Sequence, residues 1–470
     1  METFLENQAI ALEAFLESFP IITVLPLLLM LILVVATRKV FESIIIATAF
    51  VYILSDGLGF IFGFTDGVYE VFAEGTYAWI VLMLTLFGGL IALLLRSGGI
   101  GAFRQFATRY IRSERSSLMF TWILGMVLFI DDYINNLGIG PTVRELTDEH
   151  GVPREQLGFA INCTGTPVAS LVPLTAFSVF VFSLMVEHGV SPEDSNMLTE
   201  YMKIVPYMFY PIAIILISLL LAMGVLPRVG AFKRYYNDLK AGTYALTEDE
   251  KLSMEKNEGE ADFSAAKGSI LDFALPVLVV VVAMFATSDL VFSVILALAT
   301  AFVLNIAQKK MRVGEYFKTF FAGVNDMIYI LAVVLMTFVF VEGLLGIGFV
   351  DYVIDTVGPM LAGGSIPALT FIVVGVIAFL GVDYWAVILL FAPVALPLAD
   401  MFGVSPYMTM AAIASGSIFG GTACFFAEQN LMCSQSVERP PVRVALGGLP
   451  YSLLGFVVTV ILYLIVGFAY

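Results

Sequence analysis

The chain has 470 residues, of which 60% are hydrophobic and 13% are charged, and its mean hydropathy is +0.95. Soluble globular proteins carry roughly 25% charged residues, and a soluble fold of this length cannot bury so much apolar surface. The composition therefore excludes a disordered chain, a soluble enzyme and a disulfide scaffold. It predicts a membrane protein, with enough apolar residues for about ten to twelve crossing helices of ~20 residues each.

The ionisable residues exclude further classes. Although the net charge is −16, no basic segment is interleaved with aromatic residues, so nucleic-acid binding has no support. His150 and His188 are the only histidines, and the three cysteines lie in apolar segments, which argues against a zinc or haem site. We therefore expect no bound cofactor.

The chain begins with a segment that differs from the rest, residues 1–19. Its acidic residues alternate with leucine and phenylalanine, a pattern typical of an amphipathic helix in the membrane interface. No Lys or Arg precedes Arg38, so the segment does not have the form of a conventional signal peptide.

Twelve apolar runs follow, six on each side of a polar segment. The polar segment, residues 228–268, holds seven Lys or Arg and eight Asp or Glu and is too short for a core of its own, so we expect a solvated cytoplasmic linker. It separates a first transmembrane repeat, residues 20–227, from a second, residues 269–470. The runs are 20–36, 41–64, 76–95, 117–143, 157–186, 201–226, 269–287, 290–308, 325–349, 365–398, 406–433 and 446–470.

The positions of Lys and Arg predict the topology. All but one of the 23 fall in six clusters, and if these clusters are cytoplasmic, both termini lie outside. Residues 96–115 and 144–154 are both basic, so the run 117–143 between them has to enter and leave on the same side. It therefore predicts a re-entrant hairpin with its tip near residue 130. The run 365–398 predicts a second hairpin, from the outside, with its tip near residue 382.

Short motifs relate the two halves. Asp132-Tyr133 at the first tip recurs as Asp383-Tyr384 at the second, and the next apolar runs are broken at residues 164–167 and 420–423. Each half then has three crossings, a re-entrant hairpin, a broken crossing helix and a last crossing. Five crossings per half is an odd number, so the second half is inverted. The predicted fold is an all-α polytopic membrane protein with two inverted repeats, the architecture of secondary transporters.

Polar residues at membrane depth are expensive, so each is a functional hypothesis. The first tip and the break that follows it offer carboxylate, amide, hydroxyl and carbonyl oxygens, which are hard ligands that suit Na⁺. The alternative for the acids is that one of them caps the second half of the hairpin. The predicted ion-binding residues are Asp131, Asp132, Asn135, Asn136, Thr164, Gly165 and Thr166, of which Asp132, Asn136, Thr164 and Thr166 are the expected Na⁺ ligands.

The second half offers fewer polar residues. Asp383 at the second tip is either a helix cap or an ion-binding group, and Thr422 follows as a further candidate ligand. Glu428 lies inside an apolar run, where it would carry a proton, or else it approaches the cytoplasmic rim. Asp272 is expected at a helix start near water, where it would stabilise the helix dipole.

Residues 129–174, FIDDYINNLGIGPTVRELTDEHGVPREQLGFAINCTGTPVASLVPL, resemble the NhaC-type sodium/proton antiporter family of the wider ion-transporter superfamily. The resemblance implies inverted repeats, Na⁺/H⁺ exchange, and exchange coupled to a small organic anion in some relatives; a homodimer is also a family-level expectation. The second half departs from the family, because residues 420–432 lack its usual histidine, serine pair and aspartate. The matching positions are Asp131 to Tyr133, Asn136 to Gly138, Thr147-Asp148, Arg154-Glu155 and Thr164 to Ser170.

The expected function is Na⁺/H⁺ antiport in the cytoplasmic (inner) membrane rather than catalysis, with the lipid bilayer, Na⁺ and H⁺ as partners. Asp131 or Asp383 would share the proton load with Asp132. Two alternatives stay open. One is a sodium- or proton-coupled carrier of a small organic anion or amino acid, with Phe425 and Phe426 lining a solute pocket. The other is an intramembrane aspartyl protease using Asp132 and Asp383, although the usual YD and GxGD motifs are absent.

Overall fold

The structure is a computed structural model, and the descriptions below refer to the residues it places. These are 12, 14–16, 18–37, 40–73, 76–97, 111–129, 132–173, 175–192, 195–246, 269–287, 289–349, 352, 356, 363–380, 384–425 and 427–469. Most of the expected N-terminal helix over 1–19 lies outside these residues. Asp131, Asp383, Phe426 and the end of the linker, 247–268, lie outside them too.

The first half is built of helices, preceded by a 3₁₀ turn at Pro20–Val24. Helices α2 and α3 are joined by a short 3₁₀ turn, Gly57–Gly59, and α12 lies within the expected linker. The helices are α1 (Leu25–Thr37), α2 (Val40–Asp56), α3 (Phe60–Ala73), α4 (Thr76–Arg96), α5 (Glu114–Val127), α6 (Asp132–Glu149), α7 (Arg154–Asn162), α8 (Thr166–Leu171), α9 (Ala176–Glu187), α10 (Met197–Ile204), α11 (Phe209–Ala222) and α12 (Gly230–Ala241).

The second half is also helical. Its longest helix, α15, has 34 residues, and its most deeply placed helix is α18, in which every residue from Met408 to Ala423 is buried. The helices are α13 (Ile270–Thr287), α14 (Leu290–Ala307), α15 (Val313–Gly346), α16 (Ile366–Phe379), α17 (Tyr384–Met401), α18 (Pro406–Ala423), α19 (Glu428–Ser436) and α20 (Pro441–Ala469). The described part of the chain confirms the all-α expectation.

Several of these helices are long and apolar enough to cross a membrane. Among the described residues four stretches meet that criterion, two of them across a short interruption of the α-helix, and two bent pairs would raise the number to six. The bent pairs are Arg154–Leu171 with Ala176–Glu187, at 43°, and Met197–Tyr207 with Phe209–Ala222, at 64°. The expected ten crossings and their orientation stay predictions. The four stretches are Phe41–Ala73, Tyr384–Met401, Pro406–Ser436 and Pro441–Ala469.

Two helix pairs occupy the positions of the expected hairpins. Helix α5 ends at Val127 and α6 begins at Asp132, while α16 ends at Phe379 and α17 begins at Tyr384. The helices of each pair pack against each other. The two helices of each pair are therefore joined between Val127 and Asp132 and between Phe379 and Tyr384, the intervals in which the sequence predicts the tips. That the hairpins are re-entrant, and that the halves are inverted repeats, stays a prediction.

The break expected at residues 420–423 lies further along the chain. These residues form the last turn of α18, and the interruption spans 424–427. The two glycines allow close packing instead of breaking the helix, because a Cβ on Gly420 would lie 2.2 Å from the Cβ of Ala378 on α16. Small residues at such contacts let helix backbones approach each other.

The linker differs from the solvated loop that we expected, because part of it is the helix α12. Phe232, Tyr235 and Tyr236 are buried, and their i, i+3, i+4 spacing makes an apolar stripe on one face. The ring of Phe232 lies against Gly447 of α20 and near Phe159 of α7. The first part of the linker is thus packed on the protein.

Asp272 also differs from the expectation of a residue near water. Its side chain is buried, forms an ion pair with Lys310, and accepts a 2.8 Å hydrogen bond from Gln308 Nε2. It does accept from a backbone N–H at the helix start, that of Ser269, at 2.6 Å. Asp272 therefore joins the start of α13 to the turn after α14.

Candidate ion-binding site

Asp132 is the first residue of α6, and only 7% of it is exposed. The hydroxyl of Thr166 donates a 2.8 Å hydrogen bond to its Oδ2 atom. The hydroxyl of Tyr384 donates to the same oxygen at 3.3 Å. A buried carboxylate is stable only when hydrogen bonds or an opposite charge compensate it. Asp132 thus joins three separate segments, namely the first hairpin, the break after α7 and the second hairpin.

The break between α7 and α8 follows from its sequence, Thr164-Gly165-Thr166-Pro167. Proline has no N–H, so the carbonyl of Cys163 loses the donor that an α-helix would supply from residue 167. Gly165 precedes α8 with φ −75° and ψ −103°, outside the helical range. Thr166 then begins α8, in the position from which its hydroxyl reaches Asp132.

Asn135 links the first hairpin to this break through side-chain hydrogen bonds. Its Nδ2 group donates to the carbonyl of Gly125 on α5 at 2.8 Å and to that of Thr164 at 3.0 Å. The side chain is fully buried, and within the described residues its Oδ1 atom makes no hydrogen bond. Asn135 therefore holds both arms of the hairpin and the break in one arrangement.

Asn136 lies over Gly165. A Cβ on Gly165 would come within 2.3 Å of Asn136 Oδ1, so only glycine leaves room for the amide. The same Oδ1 atom accepts a 3.2 Å hydrogen bond from the thiol of Cys433 on α19. Within the described residues, Nδ2 has no hydrogen-bond partner. The second half of the chain therefore contacts this predicted ligand directly.

Thr164, another expected ligand, lies just after α7 and directs its hydroxyl back to the last turn of that helix. The hydroxyl is within hydrogen-bonding distance of the carbonyls of Ala160 and Ile161, at 3.0 and 3.1 Å. The carbonyl of Thr164 accepts from Asn135. A Cβ on Gly125 would lie 2.0 Å from the Thr164 hydroxyl oxygen, so this face of Thr164 is packed on α5.

Thr422 contacts a different helix. It donates to the carbonyl of Phe419 at 3.1 Å and therefore accepts from the hydroxyl of Tyr210 on α11, at 2.5 Å. The neighbouring carbonyl of Gly421 accepts a 3.4 Å hydrogen bond from Asn162 at the end of α7. The described contacts thus place Thr422 on the α11 side of α18, linked to the first half through Tyr210.

Glu428 lies within the apolar run 406–433 and is the first residue of α19, directly after the break; that it carries a proton or approaches the cytoplasmic rim stays a prediction. An acidic residue in the first turn of a helix is stabilised by the helix dipole. Its side chain is partly exposed. Asp131 and Asp383 lie outside the described residues, so their share in proton binding stays a prediction.

Tyr384, Cys433 and Tyr210 contact the candidate residues but were not among those predicted from the sequence. The sequence could have indicated Tyr384, because the Asp-Tyr pair recurs in both halves. Nothing in the sequence indicates Cys433 or Tyr210, since a buried thiol and a buried phenol in apolar segments look like packing residues.

The donor set fits an alkali cation. Within the described residues, no group of three or more His, Cys, Asp and Glu side chains is arranged to hold a metal ion. Asp132 instead offers one carboxylate, to which the hydroxyl of Thr166 donates, and the amide of Asn136 lies one helical turn further along α6. Hard neutral oxygens with a single charge suit Na⁺ better than a transition metal.

A separate cluster of ion pairs joins the base of the first hairpin to the turn between α19 and α20. Glu438 in that turn pairs with Arg144 at 2.8 Å and with Arg154 at 2.7 Å. Arg154 also pairs with Asp148 at 2.7 Å. The basic residues that the sequence singled out as flanking the hairpin therefore bind the other half of the protein.

Glu155 forms the buried part of this cluster. Its carboxylate is fully buried and pairs with Arg443 at 2.8 Å and with Arg439 at 3.6 Å. The hydroxyl of Tyr244, at the end of the described linker, donates to it as well. Burial, followed by the adjacent Glu155 charge, raises the pKa of Tyr244, so this hydroxyl stays a donor.

Comparison with known proteins places the second half in a family context. Residues 263–468 match the model of the Na⁺/H⁺ antiporter family. The resemblance seen in the sequence is confirmed at that level, and the NhaC-type subgroup stays a prediction. This matched half includes residues 420–432, which depart from the family pattern. The second half is therefore still similar to the family despite that departure.

Two solved structures and one further protein are also similar to the chain. The YdaH transporter of Alcanivorax borkumensis has a TM-score of 0.50 at 15% identity, covering 88% of this chain and 90% of that one. MtrF of Neisseria gonorrhoeae, described with a class of antimetabolite efflux pumps, has a TM-score of 0.54 at 12% identity, covering 85% and 84%. At these identities the likeness is one of fold. An uncharacterized protein of Haemophilus influenzae is 24% identical over 494 residues, covering 95% of this chain and 91% of that protein.

These matches and the apolar helices support the conclusion that the chain is an integral membrane protein. They also support its assignment as a secondary transporter and not an enzyme. A protein of this kind contacts lipid and the ions that it carries. The cytoplasmic membrane, the outside position of both termini and the homodimer stay predictions.

Proposed function

We propose that this protein exchanges Na⁺ for H⁺, with Asp132 as the carboxylate that binds one or the other. The observation that carries the proposal is that Asp132, the first residue of α6, is buried, with the hydroxyls of Thr166 and Tyr384 donating to its Oδ2 atom. The match of residues 263–468 to the Na⁺/H⁺ antiporter family supports it.

The coupling follows from competition. A buried carboxylate that binds Na⁺ is ionised, whereas one that binds a proton is neutral, so one group does not hold both. Na⁺ away from bulk water needs a full counter-charge, because neutral oxygens alone leave a buried charge uncompensated. Asp132 would supply that charge, and the Thr166 hydroxyl and the Asn136 amide would complete the ligand set. Asp131 or Asp383 would share the proton load with it.

The break after α7 would let the site change its side of access. Broken helices at the middle of a transporter expose backbone carbonyls to the ion and let one part of the protein move against the other. Here Asp132 and Asn136 on α6 contact Tyr384 and Cys433 of the second half. Movement of α6 relative to α17 and α19 would therefore change the surroundings of the site.

Ion flux in proteoliposomes tests the proposal. Purified protein is reconstituted with a pH-sensitive dye inside, and external Na⁺ is raised without any organic solute. Net exchange predicts that the lumen becomes alkaline as Na⁺ enters, and that K⁺ at equal concentration has no such effect. Protein-dependent proton movement that appears only after an organic anion or amino acid is added would instead support a solute carrier.

A further inference from the structure

We propose that Cys433, a residue of the second half, is a positioning residue for the cation site, acting through the amide of Asn136. The inference rests on the proposed function and extends it. Its observations are the hydrogen bond from the Cys433 thiol to Asn136 Oδ1, at 3.2 Å, and the position of that oxygen over Gly165.

The thiol selects which end of the amide faces the break. An asparagine side chain presents either an oxygen, which accepts, or an NH₂ group, which only donates. Of the amide atoms, Oδ1 is the one closest to the Gly165 Cβ position, at 2.3 Å compared with 3.1 Å for Nδ2. A carbonyl oxygen has two lone pairs, so it can accept from Cys433 and still coordinate a cation. The reversed amide would place positive N–H groups towards the break, where they would repel Na⁺.

The surrounding packing keeps the thiol in place. Helix α19 packs along α6, and one turn beyond Asn136 a Cβ on Gly140 would lie 2.4 Å from the carbonyl oxygen of Ser436. Cys433 and Asn136 are both fully buried, and the Nδ2 group of Asn136 has no hydrogen-bond partner among the described residues that would fix the amide. Cys433 therefore provides the orientation that water or a polar neighbour would provide on a protein surface.

Na⁺ titration of the purified full-length variants tests this role. Binding is measured by isothermal titration calorimetry at alkaline pH. Cys433→Ala removes the donor and should weaken Na⁺ binding about fivefold, which corresponds to about 1 kcal/mol. Cys433→Ser keeps a donor and should bind within about twofold of wild type. Cys424→Ala, which removes a buried thiol directly after α18, is the matched control and should also bind within about twofold.

A purely structural role would lower the thermal stability of Cys433→Ala without changing its Na⁺ affinity, and that result would overturn the proposal. A Cys433→Ser variant that binds Na⁺ as weakly as Cys433→Ala would also overturn it. If Cys433→Ala does not fold, the S–H stretching band of Cys433 in wild-type protein, assigned by its loss in Cys433→Ser, gives a second measurement. The band should shift when Na⁺ is added, and an unchanged band would contradict the proposal.

Loss of Na⁺ binding in Asp132→Asn alongside normal Cys433→Ala binding would reject this inference alone. Unchanged binding in Asp132→Asn would reject the proposed function.

Discussion

Tyr384 donates its hydroxyl to Asp132 Oδ2 across 3.3 Å, although the two residues lie 252 positions apart in the chain. Each is the first residue of the second helix of its hairpin, α17 and α6 respectively. The starts of α6 and α17 therefore meet at the carboxylate. Aromatic contacts hold Tyr384 there, since its ring stacks on Phe177 with centroids 6.3 Å apart.

Tyr384→Phe tests this contact. The substitution keeps the ring and its packing but removes one donor to the carboxylate. This hydrogen bond, at 3.3 Å, is longer than an ideal hydrogen bond to a charged group. We expect the Na⁺ affinity to fall about threefold to tenfold, equivalent to about 1 kcal/mol. Calorimetric Na⁺ titration measures the change. Tyr316→Phe, which removes a hydroxyl that donates to Leu298 within the scaffold, should bind Na⁺ like wild type, and equal binding by both variants would mean that the contact does not serve the site.

Thr166→Val removes the hydroxyl that donates to Asp132 at 2.8 Å and replaces it with a methyl group of similar size. We expect Na⁺ affinity to fall at least tenfold, because one donor to a buried carboxylate is lost and a candidate oxygen ligand goes with it. Thr166→Ser keeps the hydroxyl and should stay within about threefold of wild type. The same titration decides, and a Val variant that binds as tightly as the Ser variant would remove Thr166 from the site.

Gly165→Ala places a Cβ 2.3 Å from Asn136 Oδ1. The amide has to move, so we expect Na⁺ binding to fall at least tenfold even where the protein still folds. Gly314→Ala is the matched control, because nothing lies within 4 Å of a Cβ at that position. Size-exclusion chromatography checks folding and Na⁺ titration checks the site. Unchanged binding in Gly165→Ala would show that the position of the amide is unimportant.

Several features of this site could be predicted from the sequence because they depend on local chemistry. Asp132 begins a helix after an apolar run, and the break at Thr164-Gly165-Thr166-Pro167 follows from a missing N–H group. The basic residues on both sides of the run 117–143 placed the first tip near residue 130. Each of these inferences used residues close together in the chain.

The remaining features depend on packing between distant segments. The contacts of Tyr384 with Asp132 and of Cys433 with Asn136 join the two halves, and periodicity carries no information about such pairings. Asp272 looked like a helix-start residue near water because its partner Lys310 lies 38 positions away. The sequence predicts a break at residues 420–423, whereas the glycines there allow α18 to pack closely on α16.

Stability should respond differently at the two acids of the ion-pair cluster. Glu155→Gln leaves Arg439 and Arg443 without their buried carboxylate, and breaking a buried pair costs about 3–5 kcal/mol. Glu438→Gln removes pairs to a half-exposed side chain, which should cost about 1 kcal/mol or less. Thermal unfolding in detergent compares them. A smaller loss of melting temperature in Glu155→Gln than in Glu438→Gln would contradict the assignment of the buried pair.

The central claim is that one carboxylate, Asp132, binds either Na⁺ or H⁺. The most direct measurement is the apparent Kd for Na⁺ of the purified protein across a range of pH. Competition predicts that the Kd rises about tenfold for each unit of falling pH once the carboxylate is protonated, because each proton must leave before Na⁺ binds. Asp132→Asn should abolish Na⁺ binding at every pH. Asp289→Asn, which changes an exposed helix cap, should keep the wild-type profile. A Kd that does not depend on pH, or Na⁺ binding by Asp132→Asn within about threefold of wild type, would contradict the account.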